Sequence, residues 1–181
     1  HSSRQLRAGN DWYPHSMATS PAGDRVYVGT GGWFTTYDSA TGNILRDLRV
    51  GGMGNTDIAI TPDGSRAYVS NWDGGVYVID LKANTVLATL PIAQQMQSVV
   101  VSPDGRKVYT SSWGTDGIWT IDTATNQVSQ PVGDFGVTWY SDLVVSPDNR
   151  IVYAAAGKVA VFGADGQFVR VIDLGEGVYP L

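Results

Sequence analysis

A Ser/Thr-Pro turn occurs four times in this chain, and its spacing is what most limits the fold. Ser20-Pro21-Ala22-Gly23, Thr61-Pro62-Asp63-Gly64, Ser102-Pro103-Asp104-Gly105 and Ser146-Pro147-Asp148-Asn149 lie 41, 41 and 44 residues apart. A tyrosine follows each proline by six positions: Tyr27, Tyr68, Tyr109 and Tyr153. In such a turn Pro presets φ, Asp caps through its side chain and Gly accepts φ > 0. Before each turn stands a short apolar stretch: Met17-Ala18-Thr19, Ile58-Ala59-Ile60, Val99-Val100-Val101 and Leu143-Val144-Val145. Near-continuous apolar character suits a strand buried on both faces. After each turn comes a second strand, Val26-Tyr27-Val28, Ala67-Tyr68-Val69, Val108-Tyr109-Thr110 and Ile151-Val152-Tyr153-Ala154. A Gly-rich connection leads to a third: Phe34 to Tyr37, Val76 to Ile79, Ile118 to Ile121 and Val159 to Phe162. Asp38, Asp80 and Asp122 close three of these. The fourth strands run Ile44 to Val50, Val86 to Ile92, Val128 to Val132 and Phe168 to Leu174. No segment of helical length carries a 3.6-residue apolar period.

Four short strands per repeat, at a period near 41, predict an all-β chain of β-propeller type made of four-stranded antiparallel blades. Residues 1–181 read as a single β-propeller region with four complete repeats, an arc or fragment of a larger ring. Blade 1 spans about 11–51, blade 2 about 52–93, blade 3 about 94–133 and blade 4 about 134–175. Residues 1–10 resemble a stray outer strand, since Arg4-Gln5-Leu6-Arg7-Ala8-Gly9 matches Arg46-Asp47-Leu48-Arg49-Val50-Gly51. Residues 176–181 resemble the start of a further repeat, with Gly177-Val178-Tyr179-Pro180 matching Asp11-Trp12-Tyr13-Pro14. The chain opens on His1 rather than Met, so it reads as processed, excised or tagged. An open arc leaves two blade faces uncovered. At roughly 800 Å² per face and about 25 cal/mol per Å², each open face forfeits on the order of 20 kcal/mol gross. The expectation is therefore that the ring is completed: by further blades of a longer protein, by a second copy, or by the four blades closing on themselves.

The bulk numbers fit a globular chain: 43% hydrophobic, 16% charged, with 22 glycines and eight prolines for many tight turns. A net charge of −5 argues against nucleic acid as the main partner, because phosphate contacts need clustered Lys and Arg. No run of 18 apolar residues exists to span a membrane. The absence of cysteine removes disulfides, thiolate metal sites, iron–sulfur ligation and CxxCH haem attachment.

Ser102-Pro103-Asp104-Gly105, followed by Val108-Tyr109-Thr110 and by Ile121-Asp122, resembles the YVTN-type β-propeller repeat of bacteria and archaea. Ala67-Tyr68-Val69-Ser70-Asn71 stands at the family's Tyr-Val-Thr-Asn signature, and the resemblance covers nearly the whole chain. Blade 4 departs from it, with Asn149 for the turn Gly and Phe162-Gly163 for Ile-Asp. The resemblance implies propellers of about seven blades. It also implies an extracellular, cell-surface or periplasmic setting, in binding proteins, surface-layer proteins or propeller subunits of periplasmic dehydrogenases.

In a propeller the loops after the fourth and second strands share one rim. That rim collects Trp12, Tyr13, Trp139 and Tyr140 in the fourth-to-first loops and Trp33, Trp72 and Trp113 in the second-to-third loops. Aromatic loop tips dominate binding hot spots and stack on sugars and planar ligands. The same residues can instead cover gaps between blades, which suits Trp33, Trp72 and Trp113 because they recur at one blade position. Five residues before each turn proline stand Ser16, Asp57, Ser98 and Asp142, and just before them His15, Thr56, Gln97 and Ser141, at the channel mouth. Asp57 and Asp142 could bind a hard cation. They lie two blades apart without a DxDxDG-type loop, so capping of backbone amides or lining of a watery channel is the better account. His15 could serve as a general base but lacks the partners of a histidine metal cluster.

The expectation is thus a non-enzymatic propeller scaffold that binds a protein, glycan or small ligand through its aromatic rim, with no metal or cofactor. The alternatives are a propeller subunit or part of a periplasmic dehydrogenase, or a lyase- or lactonase-like enzyme. The last needs several histidines and acids about the channel, where this chain offers His15 alone.

Overall fold

The computed structural model describes residues 14–52, 54–113, 115–132, 141–155, 158–163 and 167–173. The expected outer strand at 1–10 and repeat start at 176–181 lie outside them. Fifteen strands form four antiparallel sheets in chain order, and no helix occurs among the described residues. Blade 1 holds β1 (Ser16–Thr19), β2 (Arg25–Thr30), β3 (Trp33–Asp38) and β4 (Ile44–Arg49). Blade 2 holds β5 (Asn55–Ile60), β6 (Arg66–Asn71), β7 (Val76–Asp80) and β8 (Thr85–Leu90). Blade 3 holds β9 (Met96–Val101), β10 (Lys107–Ser112) and β11 (Thr115–Asp122). Blade 4 holds β12 (Ser141–Val145), β13 (Ile151–Ala155), β14 (Lys158–Phe162) and β15 (Phe168–Asp173).

The repeated turn works through one hydroxyl. Ser20, Thr61, Ser102 and Ser146 each accept a hydrogen bond on their side-chain oxygen from an amide four or five residues on, at 2.9–3.1 Å. Each hydroxyl donates to a nearby carboxylate: Thr61 to Asp63 and Ser102 to Asp104 at 2.6 Å, Ser146 to Asp148. In blade 1 Ala22 replaces the turn aspartate, and Asp24 takes the Ser20 proton instead, at 2.7 Å. Asn149 fills the glycine place at φ 64, a conformation Asn tolerates better than most residues. These bonds hold the carboxyls of Asp63, Asp104 and Asp148 below their usual range, Asp63 at about 2, chiefly through the Thr61 hydroxyl. The third strands end on a second side-chain turn: Asp38, Asp80 and Asp122 each accept the backbone amide three residues on, at 2.7–2.9 Å.

Apolar side chains between successive sheets make the core. Tyr27 and Phe34 of blade 1 pack on Ile58, Ala67, Val69 and Ile79 of blade 2. Tyr68, Val76, Val78 and Leu90 pack on Met96, Val99, Val108 and Ile121 of blade 3. Tyr109 and Ile118 pack on Leu143, Ala160 and Phe162 of blade 4. The first strands of successive blades are neighbours in the order β1, β5, β9, β12, and no comparable contact joins β12 back to β1 among the described residues.

Two expectations need correction, and one blade differs in register. The first strands are not buried on both faces: Met17 is 70% and Val144 59% exposed, and most other positions are half-buried. The fourth strand of blade 3 reduces to isolated bridges at Val128 and Val132. There the Thr120 amide is taken by the Ser129 hydroxyl at 3.0 Å, and Pro131 offers no N–H to the ladder. Blade 4 is out of step by one residue. In blades 1–3 the residue two before the turn proline pairs with the fifth after it, as Ile60 with Ala67. In blade 4 Val145 pairs with Ile151, the fourth after it. Tyr153 therefore stands in register with Leu143 and Ala160, whereas Tyr68 stands in register with Ala59 and Val78.

Candidate functional site

Two regions gather the chemistry-bearing residues: the aromatic rim and the channel mouth. At the rim the loops are tied together by backbone bonds. The Trp72 amide donates to the Gly54 carbonyl, the Gln95 amide to the Trp72 carbonyl and the Trp113 amide to the Gln95 carbonyl, each at 2.8 Å. Gln95, at φ 58, thus sits between blades 2 and 3 and holds both tryptophan loops. The two indoles meet edge to face with ring centroids 5.3 Å apart, and both are half-buried. Each therefore covers the seam beside it and still offers surface to solvent. Trp33 is not on a loop tip: β2 and β3 are joined by Gly31-Gly32 alone, so Trp33 opens β3 opposite Thr30 and Arg49. Its carbonyl accepts from the Asn55 side chain at 2.8 Å. Trp12, Tyr13, Trp139 and Tyr140 lie outside the described residues. His15 is exposed, and its amide donates to the Gly29 carbonyl at 3.0 Å.

At the channel mouth the two carboxylates share a partner from the blade between them. Ser98 Oγ lies 3.1 Å from Asp57 Oδ2 and 3.2 Å from Asp142 Oδ1. Its single proton serves one carboxylate at a time. Asp57 Oδ1 accepts from its neighbour's Ile58 amide at 2.8 Å, and Oδ2 accepts from the Val99 amide of the next blade at 2.9 Å. Asp142 Oδ1 accepts from Leu143 at 2.8 Å. Hydroxyls bridge the same seam: Thr56 donates to the Met96 carbonyl at 2.7 Å and Ser70 to the Gln97 carbonyl at 3.3 Å. First strands of neighbouring blades form no backbone ladder with each other, and these side chains supply the missing partners. Asp57 and Asp142 thus cap amides, and no group of three or more acidic, His or Cys side chains suited to a metal ion occurs among the described residues. The sequence pointed to both aspartates but not to Ser98 as their link. The equal spacing of Asp57, Ser98 and Asp142 from their prolines was the available signal.

Burial raises the Asp57 carboxyl above its ordinary range and Asp142 adds to this, against the Val99, Ile58 and Ser98 hydrogen bonds. A raised folded-state pKa gives stability that is complete below the unfolded pKa and fades as pH rises through the folded one. The stability gap between the native chain and Asp57→Ala should therefore widen as pH falls from about 7 to about 4.5. At neutral pH the substitution should cost about 1–3 kcal/mol, because the Val99 amide loses its acceptor. Urea unfolding at both pH values measures this, and a gap that narrows on acidification overturns it.

The opposite rim carries a groove of about 360 Å³ between blades 2 and 3, lined by Thr61, Pro62, Asp63, Arg66, Asp104 and Thr123 among others. Arg66 Nη1 donates to the Thr123 carbonyl at 2.7 Å across it. Consecutive turns stack here, for a Cβ on Gly105 would lie 3.3 Å from Pro62 Cδ. Its carboxylates already hold the turns together, and the sequence assigned them that structural role alone.

No protein-family model matches the sequence, and no curated protein matches it. Solved structures do. Hydrazine synthase of Kuenenia stuttgartiensis superposes with a TM-score of 0.79 at 24% identity, over 94% of this chain and 53% of that one. The Cps50 (Swd1) β-propeller domain of Myceliophteria thermophila gives 0.81 at 11% identity, over 96% and 59%. U3-55K gives 0.80 at 14% identity, over 94% and 54%. The chain spans little more than half the length of these structures. With 1551 chains of known structure matching, the likeness selects an architecture and no single activity. At these identities it is a likeness of fold, and the fold of this chain is the β-propeller.

Proposed function

We propose that this chain is a non-enzymatic β-propeller scaffold of the YVTN-repeat type, working outside the cytoplasm, that binds a protein partner through its aromatic rim. The observation that carries the reading is the half-buried Trp72–Trp113 pair, anchored on both sides of Gln95. Rigidly held aromatics with part of their surface still wet are the residues that dominate protein recognition sites. A glycan or small ligand on the same rim, and a dehydrogenase subunit or lactonase-like enzyme, are the competing outcomes.

The test is Trp72→Ala and Trp113→Ala, singly and together, with urea unfolding beside surface capture of secreted proteins and of oligosaccharides. Each single variant should lose the edge-to-face contact, about 0.5–1.5 kcal/mol. The double variant should cost less than the sum of the two, because they share that contact. Both variants should weaken capture of one protein class at least tenfold. Unchanged capture with lowered stability would make the pair a seam cover only. Copurification of a haem- or quinone-bearing chain would favour the dehydrogenase alternative.

A further inference from the structure

Resting on the reading of the aromatic rim as a protein-binding face, we propose that its partner presents an arginine-bearing extended segment. The segment lies across the Trp72–Trp113 pair, between the channel-mouth carboxylates and Asp73. In an edge-to-face pair only one ring face is taken by the other ring, and both indoles keep part of their surface in solvent. An indole face is the strongest aromatic site for a cation. A guanidinium suits it better than an ammonium, because the planar group stacks on the ring and still offers its edge to carboxylates.

The carboxylates are placed to meet that edge. The first strands of neighbouring blades lie side by side about the axis. Asp57 on β5 and Asp142 on β12 therefore stand inboard of the indoles. Asp73 follows Trp72 in the loop between β6 and β7 and stands outboard. Asp73 and Asp142 are exposed, and Asp57 is half-buried. Asp57 and Asp142 take backbone amides and share the Ser98 hydroxyl, and neither meets a Lys or Arg among the described residues. The ion pairs Arg25–Asp24 and Arg150–Asp148 lie at the turns of the opposite rim. Arg66, Lys82 and Arg106 stand there too, beside Asp63, Asp80 and Asp104. On the aromatic rim the described cations are Arg49, opposite Trp33 at the end of β4, and Lys158, in register with Asp173. Neither belongs to blade 2 or blade 3, whose seam the indoles cover. Among the described residues that seam is thus an aromatic surface bordered by acids on both sides and holding no cation of its own. A basic segment is its electrostatic complement.

Fluorescence anisotropy of the 181-residue chain with short fluorescein-labelled peptides tests this. The peptides alternate Gly with Arg, Lys, Ser or Glu. The arginine peptide should bind about tenfold tighter than the serine peptide and about threefold tighter than the lysine peptide. Trp72→Leu and Trp113→Leu should each weaken its binding about fivefold. Asp73→Asn should weaken it about threefold and Asp73→Lys about tenfold. Asp73 is exposed, so both variants should keep the native urea midpoint. Asp80→Asn is the control: it removes a charge at the opposite rim, keeps an acceptor for the Lys82 and Ala83 amides, and should bind the peptide as the native chain does. Equal binding of the lysine peptide would reduce recognition to charge and overturn the stacked geometry. A loss in Asp80→Asn as large as that in Asp73→Asn would assign binding to the net charge of the whole chain and overturn the proposal. If the tryptophan variants hold the arginine peptide as tightly as the native chain, the indoles are not its seat and the inference falls. If those variants lose capture of a secreted protein while no basic peptide binds the native chain, the inference also falls, but the aromatic rim remains a protein-binding face.

Discussion

Gly75→Ala is expected to destabilise the chain by about 3–5 kcal/mol, the largest single effect available outside the blade junctions. Gly75 sits at φ +111, and a Cβ there would lie 2.2 Å from the Leu90 carbonyl oxygen and 3.1 Å from its carbon. Both are backbone atoms. Leu90 is held in register with Val76 at the end of β8, so it cannot retreat without breaking the ladder between β7 and β8. The Gly75 carbonyl is also tied, accepting from the Asn71 amide at 3.0 Å. Gly23→Ala is the control. Gly23 has φ +73 but nothing within 4 Å of its Cβ position. Its replacement should cost only the left-handed conformation, about 1–2 kcal/mol. Urea midpoints for the two variants separate steric conflict from backbone preference. If Gly75→Ala is no worse than Gly23→Ala, the close approach of β8 to this turn does not exist.

The contrast between those glycines bears on what a reader of the sequence could see. Turn chemistry is local, so Pro, Asp and Gly at fixed offsets announced the turns, the strand order and the four-blade count without structural help. Side-chain pairing across blades is not local. Nothing in the neighbourhood of Asp57 or Asp142 names Ser98 as their common partner, because that pairing depends on how far one sheet is rotated onto the next. The shift in blade 4 was hidden for a different reason. Tyr153 keeps its distance from Pro147, but strand register counts from the end of the turn, and that turn is one residue shorter. The Ser146 hydroxyl takes the amide of Arg150, four residues on, where the other three turns take the amide of the fifth residue. Trp33 was displaced from loop to strand by the same kind of detail, a two-residue connection between β2 and β3. Trp72 and Trp113 were legible as recurrent aromatics at one blade position. The Gln95 anchor between them was not, since it rests on backbone bonds to both tryptophans.

Tyr68→Ala should cost about 3–5 kcal/mol, in the range for deleting a buried aromatic ring. Tyr68 is fully buried and lies between Val76, Val78 and Leu90 of its own blade and Val99, Val108 and Ile121 of the next. Burial raises the pKa of its hydroxyl, with nearby Arg66 acting the other way, so the side chain stays neutral at physiological pH. Removing the ring empties the centre of the seam between blades 2 and 3, where rigid sheets on either side cannot collapse to fill it. Tyr68→Phe keeps the ring and should cost about 1 kcal/mol or less, while Leu87→Ala, at a position 51% exposed, should cost about 0.5 kcal/mol or less. The character of unfolding should change as well as its midpoint. Each blade packs mainly on its neighbours, so stability is close to a sum of blade and junction terms. Weakening one junction should let blades 1–2 and blades 3–4 melt separately. Hydrogen exchange of amides in β2 and β6 and of amides in β10 and β13 should then give different urea midpoints in Tyr68→Ala and the same midpoint in the native chain. Coincident transitions in the variant would mean that the blades unfold as one unit, and that the seam filled by Tyr68 is not the weak link between them.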